Sequence, residues 1–152
     1  MQFKYIRPAW AEIDLDNLAY NIKQIRSFIG PDVKMMAVVK SDAYGAGIAG
    51  VLDTFLDHGV EMFGVAILDE AILIREKGVQ VPILVFAYTP FEYSDLLVKY
   101  DISQTVYCKE QAAAISAAAS RFKKKGRIHL EIDTGMGRLG FLPSEGAVQT
   151  IK

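Results

Sequence analysis

The stretch Ala37-Val38-Val39-Lys40-Ser41-Asp42-Ala43-Tyr44-Gly45 sets a lysine directly after a run of apolar residues. A partly desolvated lysine amine gives up its proton more readily than a solvated one and can attack a carbonyl carbon. Tyr44 stands four residues further on and offers a phenol to the same neighbourhood. Taken alone, a lysine at a strand end more often snorkels its ammonium to water, and a tyrosine there packs against the rim. The second stretch is Glu131-Ile132-Asp133-Thr134-Gly135-Met136-Gly137-Arg138-Leu139-Gly140-Phe141. Its glycines allow backbone paths closed to other residues. Arg138 offers a planar fork that matches a carboxylate. A glycine turn whose arginine pairs with a nearby acid fits that spacing equally well.

Other patterns carry less. Gly45-Ala46-Gly47-Ile48-Ala49-Gly50 and Gly135 to Gly140 both match G-x-G-x-x-G, and Asp69 stands where a ribose-binding acid would belong for the first of them. A dinucleotide loop needs its first glycine at the strand end, so that the helix amides meet the pyrophosphate. The insert Lys40 to Tyr44 displaces Gly45 from that place, and Pro143-Ser144 sets the helix after the second match beyond its glycines. His58 and His129 have no metal-ligand spacing, and structural roles are expected for both. Cys108 follows a β-branched and aromatic run, the setting of a buried inert thiol.

The elements that must hold these residues alternate. Apolar runs predict strands at Met35 to Val39, Met62 to Ile67, Pro82 to Ala87, Ile102 to Tyr107 and Ile128 to Ile132. Helical spacing predicts helices at Asp16 to Phe28, with Asp16 as cap and Gly30-Pro31 as stop, and at Ile48 to Asp57 and Asp69 to Lys77. Further helices are predicted at Phe91 to Tyr100, at the alanine-rich Lys109 to Lys125, ended by Gly126, and from Ser144 onward. This rhythm predicts an α/β fold with a parallel sheet. An open doubly wound sheet and a closed β/α barrel both fit it. Five strands would complete the former and leave an eight-strand barrel three units short. In both, strand C-termini build the site, which puts Lys40 and the Arg138 loop on one rim.

With 152 residues and 51% hydrophobic residues, the chain suits one domain with a sizeable core. A net charge of -1 gives no general attraction to nucleic acid or anionic membrane. The basic cluster Arg121, Lys123, Lys124, Lys125 and Arg127 suits a solvated helix end. One cysteine excludes a disulfide within the chain and makes a reducing compartment the default. No apolar run opens the chain as a signal segment or approaches a membrane span, so the expectation is cytoplasmic, with no membrane partner.

Together these stretches resemble the alanine racemase family, and specifically its N-terminal part. Arg7-Pro8-Ala9-Trp10-Ala11-Glu12-Ile13-Asp14-Leu15 looks like its opening strand, Ala37 to Gly47 like its cofactor-lysine motif, and Asp133 to Phe141 like its D-T-G-M-G-R-[LI]-G-F motif. The ordered trio spans nearly the whole chain. The resemblance implies an incomplete β/α TIM barrel of about five units over residues 16–152, with residues 1–15 a strand joining a later β domain.

The resemblance also implies roles. Lys40 would carry pyridoxal 5'-phosphate as a Schiff base and then act as one of two bases, Tyr44 would hydrogen-bond the cofactor phosphate, and Arg138 would bind the substrate carboxylate. The second base would be a tyrosine from the C-terminal domain of a second subunit, outside this sequence. The implied enzyme is a homodimeric isomerase converting L-alanine to D-alanine for peptidoglycan, with this chain alone inactive. Two positions depart from the family pattern. Ala46 stands where histidine is usual, and Glu131 stands where many members carry a lysine carbamate beside the arginine. Glu131 is expected to supply that negative charge directly and orient Arg138. The alternatives are a pyridoxal-phosphate-binding barrel without turnover, a dinucleotide-dependent oxidoreductase using Gly45, Gly47 and Asp69, and a fragment that binds nothing.

Overall fold

A computed structural model of the chain describes residues 9–151. Five parallel strands, β1 (Met36–Val38), β2 (Met62–Val65), β3 (Ile83–Val85), β4 (Ser103–Val106) and β5 (Ile128–Leu130), form one sheet in the order β1-β2-β3-β4-β5. Helices separate them. These are α1 (Leu15–Ile29) ahead of β1, a single turn α2 (Lys40–Tyr44), then α3 (Ile48–Asp57), α4 (Leu68–Glu76), α5 (Ser94–Lys99), α6 (Lys109–Phe122) and α7 (Glu145–Ile151). The spatial order repeats the chain order without a reversal. A doubly wound sheet needs such a reversal, because its ligand crevice opens where the strand order turns back. A steadily advancing β/α sequence is the progression of a barrel, here of five strands with both edges open among the described residues.

Burial follows that topology. β2, β3 and β4 are sheathed on both faces, with Phe63, Val65, Ile83 and Val85 fully inaccessible, and Phe63 meets Phe55 of α3 edge to face at 6.1 Å. Apolar side chains on a doubly covered strand give the near-continuous hydrophobic runs seen in the sequence. β5 is the exception: Ile128 and Leu130 are 42% and 45% exposed, and nothing among the described residues pairs with its outer side.

Two arginines clasp the end of the sheet opposite Lys40. Arg75 of α4 donates to the carbonyls of Val79 (2.8 Å) and Val81 (2.7 Å) before β3, and of Tyr100 and Asp101 (both 2.9 Å) before β4. Burial lowers its guanidinium pKa from the ordinary value. Arg26 of α1 similarly binds the carbonyls of Val33 and Gly59 and the carboxylate of Glu61.

Local expectations needed corrections at α1, at Phe91 to Tyr100 and at the end of α6. The α1 cap is Asp14, whose carboxylate accepts from Asn17 N at 2.9 Å, and Asp16 lies inside the first turn. The segment Phe91 to Tyr100 divides into a 3-10 turn (Phe91–Tyr93) and α5 (Ser94–Lys99). Helix α6 stops at Phe122, where Lys123 adopts a left-handed φ of 52°. Gly126 serves a different end, because a Cβ there would lie 2.6 Å from Ile115 Cγ2. Of the segment resembling an opening strand, residues 9–14 have no regular structure and residues 1–8 lie outside those described.

Candidate active site at the C-terminal rim of the sheet

Val39 N donates to Gly64 O at 2.8 Å, which carries the β1–β2 ladder up to the residue before Lys40. Lys40 is half-buried at the strand's C-terminal end. The backbone beyond it takes an unusual path. Ser41, Asp42, Ala43 and Tyr44 have φ values of 54°, 54°, 54° and 55°, so α2 winds as one turn of left-handed helix. A left-handed residue with a Cβ costs about 1–2 kcal/mol, and such runs persist only where neighbours over-determine them.

Several bonds hold the turn. Ala43 N reaches Val39 O (2.9 Å) and Gly45 N reaches Ser41 O (3.1 Å). Asp42 Oδ1 accepts from Ile48 N at 2.7 Å, and Glu70 Oε1 accepts from Ser41 N at 2.5 Å. The turn brings the Tyr44 ring back over the lysine, with Lys40 Nζ 5.9 Å from its centroid. Tyr44 is otherwise open to solvent, at 69% exposure.

Arg138 lies in the loop after β5. The loop closes at its base where Phe141 N donates to Glu131 O (2.8 Å) and Asp133 N to Phe141 O (2.9 Å). Asp133 organises its interior by accepting from Gly135 N (2.9 Å) and Gly137 N (3.0 Å). Those amides, Gly137 first, hold its carboxyl below the usual aspartate value. Gly140 has a φ of 112°, and a Cβ there would lie 2.7 Å from Asp133 N, so the close turn requires glycine. Arg138 itself is exposed. Among the described residues it forms no ion pair with Glu131, whose Oε2 is buried without a hydrogen-bond partner.

Lys40 and Tyr44 are thus in contact, and Glu131 and Arg138 share one loop without touching. The two pairs stand at the same end of the sheet but beyond its two outermost strands. At about 4.8 Å per strand step, four steps separate them along the sheet by about 19 Å, and curling toward barrel closure is what shortens that span.

The dinucleotide reading fails on an occupied position. The first amide of α3, where a pyrophosphate would sit, is already bonded to Asp42 Oδ1. His58 Nδ1 lies 2.8 Å from Thr54 O at its own helix end, and no group of His, Cys, Asp or Glu among the described residues is arranged to hold a metal. Glu70 and Asp42 escaped the sequence reading. Glu70 stands three residues after Ile67, the cap position of α4, and its carboxylate reaches back to the Ile67 and Ala66 amides, but an apolar cap residue gives no capping-box pattern that would have pointed to it in the sequence.

A family profile described as alanine racemase, N-terminal domain, matches residues 13–152. The chain belongs to this family. An alanine racemase of Clostridium acetobutylicum is 47% identical over 146 residues, covering 96% of this chain and 38% of that protein. The solved alanine racemase of Clostridium difficile 630 superposes with a TM-score of 0.92 at 40% identity, covering 97% of this chain and 39% of that one. A histidine racemase from Leuconostoc mesenteroides superposes at 0.82 with 28% identity, covering 90% of this chain and 37% of that one. The chain therefore spans well under half the length of these relatives, and the five-strand sheet corresponds to the first part of the alanine racemase barrel domain. Lys40 and Tyr44 follow the first strand of that barrel portion, and Arg138 the fifth.

Proposed function

We propose that this chain supplies the cofactor-lysine part of a pyridoxal-phosphate-dependent amino-acid racemase that interconverts L- and D-alanine. The observation that carries the reading is Lys40, half-buried at the C-terminal end of β1 and followed at once by a strained left-handed turn that folds Tyr44 back beside its amine. Family membership supports the activity, and the relatives named alanine racemase support alanine over other amino acids.

The residues present fit the cofactor. Lys40 Nζ has no carboxylate partner among the described residues and stays available for a covalent bond, while Tyr44 presents its phenol beside it. Lys40 would hold the aldehyde carbon and Tyr44 would donate to a phosphate oxygen. Bound there, the cofactor supplies a sink for the electron pair left when a substrate α-proton departs. Lys40 Nζ, when not bonded to the cofactor, would be the base that takes or returns that proton on one face. Arg138 presents its fork to the substrate carboxylate, and Glu131, on the same loop but not paired with it, would supply negative charge nearby. Inversion needs a base on the opposite face. This reading assigns that base, and the rest of the phosphate contacts, to the portion of the relatives that the chain does not span, contributed across a homodimer in the cytoplasm. Residues 1–15 would join the β domain of that portion, and residues 16–152 form the barrel part. The product D-alanine suits peptidoglycan synthesis.

Borohydride reduction of the protein with pyridoxal phosphate, followed by mass mapping, tests the assignment. One adduct at Lys40 is expected, together with exchange of the α-proton of alanine in heavy water by the complete enzyme. Adducts scattered over surface lysines would overturn the reading. A Lys40 adduct with no exchange would leave cofactor binding without turnover.

A further inference from the structure

We infer that Glu70 is a positioning residue for Lys40, holding the left-handed turn that begins at the residue after the lysine. The inference rests on the reading of Lys40 as the cofactor-bearing lysine. Glu70 lies in the first turn of α4, after β2, and its carboxylate collects three backbone amides. Oε1 accepts from Ser41 N at 2.5 Å, and Oε2 accepts from Ala66 N at 2.9 Å and Ile67 N at 3.3 Å. Two of these donors belong to the chain leaving β2 and one to the chain leaving β1. A single carboxylate thus ties two neighbouring strand ends together on the rim that carries the site.

The amide of Ser41 belongs to the peptide group that joins it to Lys40. Fixing that amide fixes the plane of the peptide and hence the direction in which the Lys40 side chain leaves the backbone. Ser41 N is also one of the first amides of a helical turn, which lack an acceptor within the turn itself. The bonds from Ala43 N and Gly45 N are internal to the segment. Asp42 fastens its far end to α3 through Ile48 N. At its near end, Glu70 is the side chain that anchors it. Left-handed residues other than glycine need such anchoring.

The chemistry of the acceptor matters. Both carboxylate oxygens of Glu70 receive N–H groups, and a glutamine in its place would turn an NH2 toward one of them. Among the described residues Glu70 forms no ion pair, so these amides are its occupation.

The test compares E70Q and E70D with the parent sequence in the complete protein, using pyridoxal phosphate as the probe. E70D keeps a carboxylate on the first turn of α4 but shortens the reach to Ser41, which preserves folding if E70Q does not. The readouts are the rate of borohydride-trapped adduct formation at Lys40 across pH and hydrogen exchange at the Ser41 amide. Both variants should speed Ser41 exchange and slow adduct formation by about tenfold or more, the fold-change of losing one charged hydrogen bond. R75K is the control. Its clasp lies at the opposite end of the sheet, so it should lower the denaturation midpoint and leave the adduct rate alone. Adduct formation at the parent rate in a folded Glu70 variant would overturn the inference, as would unchanged Ser41 exchange. Should the parent form no adduct at Lys40, the reading of Lys40 falls, and Ser41 exchange still decides whether Glu70 holds the turn.

Discussion

Replacing Ser41 by glycine should make the protein more stable and its lysine slower. Ser41 has φ 54° and ψ 50°. In that region a residue with a Cβ carries a cost of about 1–2 kcal/mol that glycine avoids. Glycine brings about 0.5–1 kcal/mol of extra unfolded-state entropy, which opposes the gain. Ser41 is exposed and its hydroxyl bonds nothing among the described residues, so no further loss enters. The balance is a stabilisation of about 0.5–1 kcal/mol, or about 1–4 °C in Tm for a chain of this size. Ser41→Ala should be neutral, because alanine bears the same backbone cost. Ser41→Val should lose at least about 1 kcal/mol, since a β-branched residue tolerates this region least. Urea denaturation of the four proteins gives the order Gly above Ser and Ala, with Val lowest. The freer glycine backbone should also slow adduct formation at Lys40, a trade of function against stability. If S41G instead loses about 0.5–1 kcal/mol, the entropy cost acts alone and the left-handed turn is refuted.

At the other loop, Gly140→Ala should cost about 2 kcal/mol or more, because its Cβ would stand 2.7 Å from Asp133 N at a φ of 112°. Urea denaturation would show it, and unchanged stability would contradict the loop geometry. Asp133 has its folded pKa depressed by the Gly137 and Gly135 amides. Its contribution is therefore present above the unfolded aspartate pKa, about 3.9, and is lost as pH falls through the lower folded value. D133N should remove that part of the acid-side slope, which denaturation midpoints between neutral and acidic pH would resolve. Glu131→Gln keeps the shape and removes the charge that the proposed function gives to the Arg138 loop. Substrate use by the complete enzyme should weaken, seen as a lower kcat/KM for alanine, and unchanged kinetics would dismiss the role given to Glu131.

Much of the fold was legible because it rests on local periodicity. Val39 ends an apolar run and Lys40 breaks it, which locates a strand end without any tertiary knowledge. The boundaries of α3 at Ile48 and Asp57 match the sequence reading, because the glycines before it and the apolar spacing within it act over one helical turn. The α1 cap was misplaced by two residues, since Asp14 and Asp16 are equally good acceptors and only the bond to Asn17 N separates them. Gly126 looked like a helix stop, but its real constraint is Ile115, eleven residues earlier.

The sequence by itself determined the alternation of strands and helices, the placement of Lys40 and Arg138 after strands, and the residue types able to bind an aldehyde and a carboxylate. Only the tertiary structure decided between an open doubly wound sheet and a barrel progression, because strand order depends on which edges meet and not on any one segment. It also decided the shape of the turn after Lys40. Ser41, Asp42, Ala43 and Tyr44 carry no shared preference for left-handed backbone, and the carboxylate that holds Ser41 lies 29 residues away. Strain of that kind is offset by contacts distant in sequence, which is why no local pattern announces it.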